Sequence, residues 1–85
     1  MAYVVIIKRS AQKQIEKLPA YIIPKVRAVI LSLENQPRPA GCVKLTGSDN
    51  IYRIRVGDYR IVYEVSDDVL TVYVFDVDHR KQVYR

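Results

Sequence analysis

The chain has one cysteine, Cys42, and one histidine, His79. A lone thiol excludes an internal disulfide, and one thiol with one imidazole leaves too few ligands for a zinc site. No apolar run approaches the roughly 20 residues that span a bilayer, so no membrane partner is expected. The opening Met1-Ala2-Tyr3-Val4-Val5-Ile6-Ile7 lacks the basic start, length and cleavage site of a signal peptide and reads as a strand. The expected location is the reducing cytoplasm. There is no internal repeat, low-complexity tract or linker, and 85 residues hold one hydrophobic core, so residues 1–85 are read as a single domain. Acid is also in short supply: 9 Asp and Glu stand against 14 Lys and Arg, a net charge of +5. On so small a surface that surplus favours polyanions such as RNA or an acidic protein segment. Any catalysis must draw on Arg, Lys, Tyr, the single His and carboxylates.

With 49% apolar and 27% charged residues the composition is that of a globular domain. Tyr3 to Lys8 predicts a first strand. Ser10 is placed to cap a short helix that carries Ala11, Ile15 and Leu18 on one side and stops at Pro19. A second helix is expected from about Ala20 to Glu34, its apolar positions Ile23, Val26, Ile30 and Leu33 at helical spacing and Pro24 in its first turn. Gln36-Pro37-Arg38-Pro39-Ala40-Gly41 ends it. Strands follow over Ile51 to Val56, Tyr59 to Val65 and Val69 to Val77, with turns at Gly57-Asp58 and Asp67-Asp68. Val43 to Leu45 either begins the first of these or stands apart, and Asp78 to Arg85 reads as a loop or one helical turn. The fold class is α+β: a helical hairpin on one face of a mainly antiparallel sheet (β-α-α-β-β-β), with the other face available and a short basic tail.

The hairpin at Gly57-Asp58 carries the chemical signal. A two-residue turn with glycine first sets Val56 opposite Tyr59, Arg55 opposite Arg60, Ile54 opposite Ile61 and Arg53 opposite Val62. Side chains alternate along each strand, so Arg53, Arg55 and Arg60 share one face, with Glu64 beside them, while Tyr52, Ile54, Ile61 and Tyr63 share the other. The apolar set reads as core. Opposed like charges are unfavourable by roughly 0.2–1 kcal/mol. Guanidinium forks gathered in this way suit a phosphate; equally, arginines on a surface strand guard against edge-to-edge association.

The tail brings His79, Arg80, Lys81 and Tyr84 close together. An imidazole titrates near neutrality and serves as a general acid or base, and a tyrosine beside arginines can stack on a base or exchange a proton. A solvated tail and a tyrosine that anchors the C-terminus are the plain alternatives. Asp67-Asp68, Asp76 and Asp78 read as turn and strand-end acids rather than metal ligands. Lys8, Arg9, Lys13, Lys17, Lys25 and Arg27 form a basic helical side, read as solvated.

Three stretches resemble the RelE/ParE toxin superfamily: Lys44-Leu45-Thr46-Gly47, the run from Tyr52 to Tyr63 around Gly57-Asp58-Tyr59-Arg60, and Val77-Asp78-His79-Arg80-Lys81-Gln82-Val83-Tyr84. The glycine–aspartate–tyrosine–arginine core is shared by both branches, whereas the histidine–arginine–lysine ending with its tyrosine is similar to the RelE branch. The resemblance implies a single RelE-like toxin domain that acts as an mRNA interferase. Such an endoribonuclease cuts message in the decoding site of the ribosome, without metal or cofactor, by attack of the RNA 2′-hydroxyl on the adjacent phosphate. It also implies a cognate RelB-like antitoxin, partly helical and acidic, in a hetero-oligomer with the toxin.

Arg60 and Arg80 match the family arginines that hold the scissile phosphate, and Tyr84 matches a tyrosine that stacks on the substrate base or assists proton transfer. Arg53 and Arg55 stand where the founding member has lysines. Because an arginine keeps its proton, these two are assigned to stabilising the phosphorane as fixed charge, which leaves His79 or Tyr84 as proton carrier. Lys44, Lys81 and Arg85 are expected to contact RNA. Two other readings stay open: a ParE-like, non-enzymatic inhibitor of DNA gyrase, against which the Arg80/Tyr84 ending argues, and an inactive basic RNA- or protein-binding module of the same fold.

Overall fold

The computed structural model describes residues 2–79. In chain order these form β1 (Val4–Ile7), α1 (Arg9–Glu16), α2 (Ile23–Ser32), β2 (Val43–Lys44), β3 (Ile51–Val56), β4 (Tyr59–Ser66) and β5 (Thr71–His79). The sheet has five strands in the order β1-β5-β4-β3-β2. Only the β1–β5 pair is parallel; the others are antiparallel. The expected α+β layering holds, with one strand more than the sequence pattern predicted: Val43 and Lys44 stand apart as a short edge strand opposite Arg53 and Tyr52.

Both helices lie on one face of the sheet. Ala11 and Ile15 of α1 and Val26 and Ile30 of α2 are buried, together with Ile22 and Leu33, against Val56, Ile61, Tyr63, Val65, Val72, Val74 and Val77. Helical spacing on one side and strand alternation on the other thus meet in one core, which neither short helix could stabilise alone.

The element ends differ from expectation for local reasons. The α1 helix begins at Arg9, with Lys8 at the cap position and no side-chain cap, so Ser10 lies in the first turn instead of capping it. The α2 helix is shorter than the interval from Ala20 to Glu34: Pro24 has no N–H to donate and so falls in the first turn, with Ile23 as the first helical residue and Ser32 as the last. The residues before it close a turn in which the Ile22 amide donates to the Pro19 carbonyl at 3.0 Å. Thr71, not Val69, opens β5, after Leu70 takes a left-handed φ of 48°. That strand also continues through Asp78 and His79, which the sequence pattern had assigned to the tail.

Beyond Ile7, β1 no longer covers β5. Gln14 of α1 takes over there, its side-chain oxygen accepting from the Val77 amide at 2.8 Å and its Nε2 donating to Asp76 at 2.9 Å. The end of β5 that leads into the tail is therefore held by a helix side chain. No helix among the described residues is long and apolar enough to cross a membrane.

Candidate nucleic-acid interface

The site grows from the turn. Gly57 has φ 61°, and Asp58 keeps a negative φ, as a II′ hairpin turn requires. A Cβ at Gly57 would sit 3.3 Å from Ile22 Cδ1, so the helical layer also presses on this position. The turn sets the register Val56–Tyr59, Arg55–Arg60, Ile54–Ile61 and Arg53–Val62, in agreement with the sequence reading. Arg53, Arg55 and Arg60 consequently lie on the sheet face that carries no helix among the described residues, while Ile61 and Tyr63 are wholly buried beneath the helices.

The three arginines are not equivalent. Arg55 is exposed and Arg53 half-buried, whereas Arg60 is only 8% exposed and is the one buried charged residue among those described. Burying a guanidinium is costly unless charge or hydrogen bonds compensate it. Across the β4–β5 ladder the residue opposite Arg60 is Asp78, a carboxylate on the same face. The sequence reading, which took Asp78 as a strand-end acid, missed this opposition, because unbroken pairing from the β4–β5 turn would set Val77 opposite Arg60 and only the register shift between Val62 and Tyr63 brings Asp78 there.

Other candidates are dispersed. His79 pairs with Tyr59 in register, and its ring meets the Tyr59 ring edge-on at 5.2 Å and 81°. That pairing puts it on the helix side of the sheet, away from the arginine set. Lys44 pairs with Tyr52 and is also on the helix side, exposed at the β2 edge. Glu64 is on the arginine face as expected, where it accepts a hydrogen bond from Asn50 Nδ2 at 3.0 Å. Arg80, Lys81, Tyr84 and Arg85 lie outside the described residues. Lys8, Arg9, Lys13, Lys17, Lys25 and Arg27 are all exposed on the helical layer, and no three His, Cys, Asp or Glu side chains gather as metal ligands among the described residues.

A second polar cluster went unread in the sequence because its members are far apart along the chain. Arg38, in the connection from α2 to β2, grips Asp67 in the β4–β5 turn with both terminal nitrogens, at 3.3 and 2.7 Å. Arg38 Nε donates to the Tyr52 hydroxyl at 2.9 Å, and its guanidinium carbon lies 5.4 Å from the centroid of that ring. The Tyr3 hydroxyl donates to Asp67 at 2.6 Å. The Arg38 fork and then the Tyr3 hydroxyl hold the Asp67 carboxyl below its ordinary range. Beneath this cluster the Tyr63 hydroxyl donates to the Pro37 carbonyl at 2.8 Å, and burial pushes that phenol upward. These contacts tie the long connection to the sheet and steady β3, the strand that carries Arg53 and Arg55.

Residues 5–84 match the family described as ParE toxin of type II toxin-antitoxin system, parDE. Toxin RelE3 of Methanocaldococcus jannaschii is 32% identical over 84 residues, covering 94% of this chain and 93% of the relative. Toxin RelG of Mycobacterium tuberculosis is 30% identical over 86 residues, covering 100% and 99%. Among solved structures, the archaeal RelE–RelB complex from Pyrococcus horikoshii OT3 superposes with a TM-score of 0.84 at 28% identity, over 94% of this chain and 97% of that one.

Proposed function

Because the chain belongs to the RelE/ParE toxin superfamily, on its RelE branch, we propose that it is the toxin of a toxin–antitoxin pair and cleaves mRNA on the ribosome. One observation carries this reading: Arg53, Arg55 and Arg60 share the sheet face opposite the two helices, with Arg60 sunk into it. A buried guanidinium is held in one place and acts in a less polar medium, the condition under which fixed charge stabilises a transition state most.

In the proposed reaction the 2′-hydroxyl of the message loses its proton and attacks the adjacent phosphorus. The P–O5′ bond breaks, the leaving oxygen takes up a proton, and the products are a cyclic phosphate and a 5′-hydroxyl. Arg60, with Arg80 from the tail, holds the phosphate oxygens as charge builds, while Arg53 and Arg55 add positive field from the neighbouring strand. Arginine is a poor base, and His79 stands against Tyr59 on the helix side, so the proton exchange is assigned to Tyr84. Lys44, Lys81 and Arg85 contribute peripheral charge toward ribosomal RNA. The antitoxin is a RelB-like chain with an acidic helical segment that covers the arginine face, and the place of action is the cytoplasm, where the ribosomes are.

The test mixes the purified protein with programmed ribosomes and, in parallel, with gyrase. Cut message with intact supercoiling is expected. Blocked supercoiling with intact message would turn the reading toward the gyrase inhibitor that the ParE description allows, and neither effect would leave an inactive binding module. Arg60→Ala and Arg80→Ala should each lower cleavage at least ~10²-fold with the fold retained, by analogy with loss of one oxyanion donor; wild-type rates would remove their assigned roles.

A further inference from the structure

The face that carries the arginines has a second half, which the proposed reaction does not use. On β5, Val72 and Val74 point into the core, so Tyr73 and Phe75 point to the opposite face. Their rings stack with centroids 6.4 Å apart and planes 29° apart, and both are only partly buried. The register joins the two halves: Tyr73 lies opposite Glu64, which lies opposite Ile51, and Val62 lies opposite Arg53. Phe75 is the extra residue of a β-bulge, since Tyr63 pairs with Val74 and Val62 with Asp76. Two strand spacings therefore separate Phe75 from Arg53, about 10 Å, within the reach of a nucleotide from its phosphate to its base.

We propose that Tyr73 and Phe75 form a stacking platform for bases of single-stranded RNA whose phosphates are held by Arg53, Arg55 and Arg60, an inference that rests on RNA being the ligand of that face. Aromatic rings on an open sheet beside a basic strip are how sheet-based modules hold unpaired RNA. The charge pattern orients the strand. Glu64 lies between the halves, bonded to Asn50, and repels phosphate from the aromatic half while offering an acceptor to the amino group of a stacked base. The sugar-phosphate chain is thus confined to the β3–β4 side and its bases turn toward β5. Val4 and Ile6, 61% and 47% exposed on the adjoining edge strand, extend the apolar margin.

The experiment titrates the full chain with a short single-stranded RNA containing 2-aminopurine, and reads affinity together with quenching of that base. Tyr73→Leu and Phe75→Leu should each weaken binding roughly 5- to 150-fold, the range for loss of one stacked base, with quenching reduced and the salt dependence of binding unchanged. Tyr73→Phe and Phe75→Tyr keep a ring and should bind as wild type. Arg53→Ala should instead flatten the salt dependence and leave the quenching at saturation intact. Unaltered affinity and quenching in the leucine variants would overturn the platform, as would an equal loss in the ring-preserving pair. Leucine variants that lose an acidic helical peptide but keep RNA would overturn it too, in favour of a protein on this face. Cleavage on ribosomes is scored separately: message cut without quenching removes the platform alone, and quenching without cleavage removes the nuclease reading alone.

Discussion

The two faces of the β3–β4 hairpin are made by the same residues taken alternately, yet they have opposite physical characters. One holds Ile61, Tyr63 and Val65 under the helices; the other holds Arg53, Arg55 and Arg60 on the side away from them. The first is where the fold gains stability by removing apolar surface from water. The second concentrates like charge, which folding alone does not favour. A single II′ turn fixes the register for both, so one slipped residue would exchange core and site completely. Stability and function are separable by position parity.

The sharpest way to break that separation is to mutate neighbours. Ile61→Ala should lower unfolding free energy by about 2–5 kcal/mol, the usual range for a buried large-to-small change, measured by denaturant titration, whereas the adjacent Arg60→Ala should act mainly on cleavage. If Arg60→Ala costs as much stability as Ile61→Ala, the two faces are not distinct in kind. Gly57→Ala tests the shared element. It forces a side chain into positive φ and against Ile22, so about 1 kcal/mol or more of stability should be lost and cleavage should fall with it. Unchanged stability and activity would mean that the turn does not set the register.

Arg55→Ala probes the opposition to Arg60. Relief of like charge should leave stability equal or higher by roughly 0.2–1 kcal/mol while RNA affinity drops; a clear loss of stability would show that the pair is structurally supportive. The smallest effect concerns the Arg38–Asp67 clasp. Because the folded-state pKa of Asp67 lies below its ordinary value of 3.8, its contribution is present above that value and fades as pH falls through the lower, folded value. Asp67→Asn should therefore lose a small part of its stability at neutral pH, converge with the unaltered chain as pH falls through that window, and so show a flatter acid limb, as thermal melts from neutral into the acid range would report. An undiminished acid limb would assign it to other carboxylates.

The hairpin was legible in the sequence because everything it needs is local: a turn glycine, six residues on either side, and a period of two. The arginine set followed from that arithmetic, and so did the core strip through Tyr63. Less was legible where partners come from elsewhere. Extension of β5 through His79 depends on β4 and on Gln14 of α1, and it moved His79 beside Tyr59 and set Asp78 opposite Arg60. The bulge at Phe75 has no signature of its own in the run from Thr71 to His79, yet it sets which residues share a rung with Arg53. Arg38 looked like one charge in a proline-rich break, and only the folded chain brings it to Asp67 and Tyr52.

By itself the sequence determined the layering, the hairpin register and the side of the sheet on which the arginines fall, because alternation and turn chemistry act over a few residues. The tertiary structure decided how deeply each arginine is sunk, which acid faces Arg60, and where His79 and Lys44 lie. Those outcomes depend on contacts between segments distant in the chain, and no local pattern encodes the packing that ranks one such contact above another.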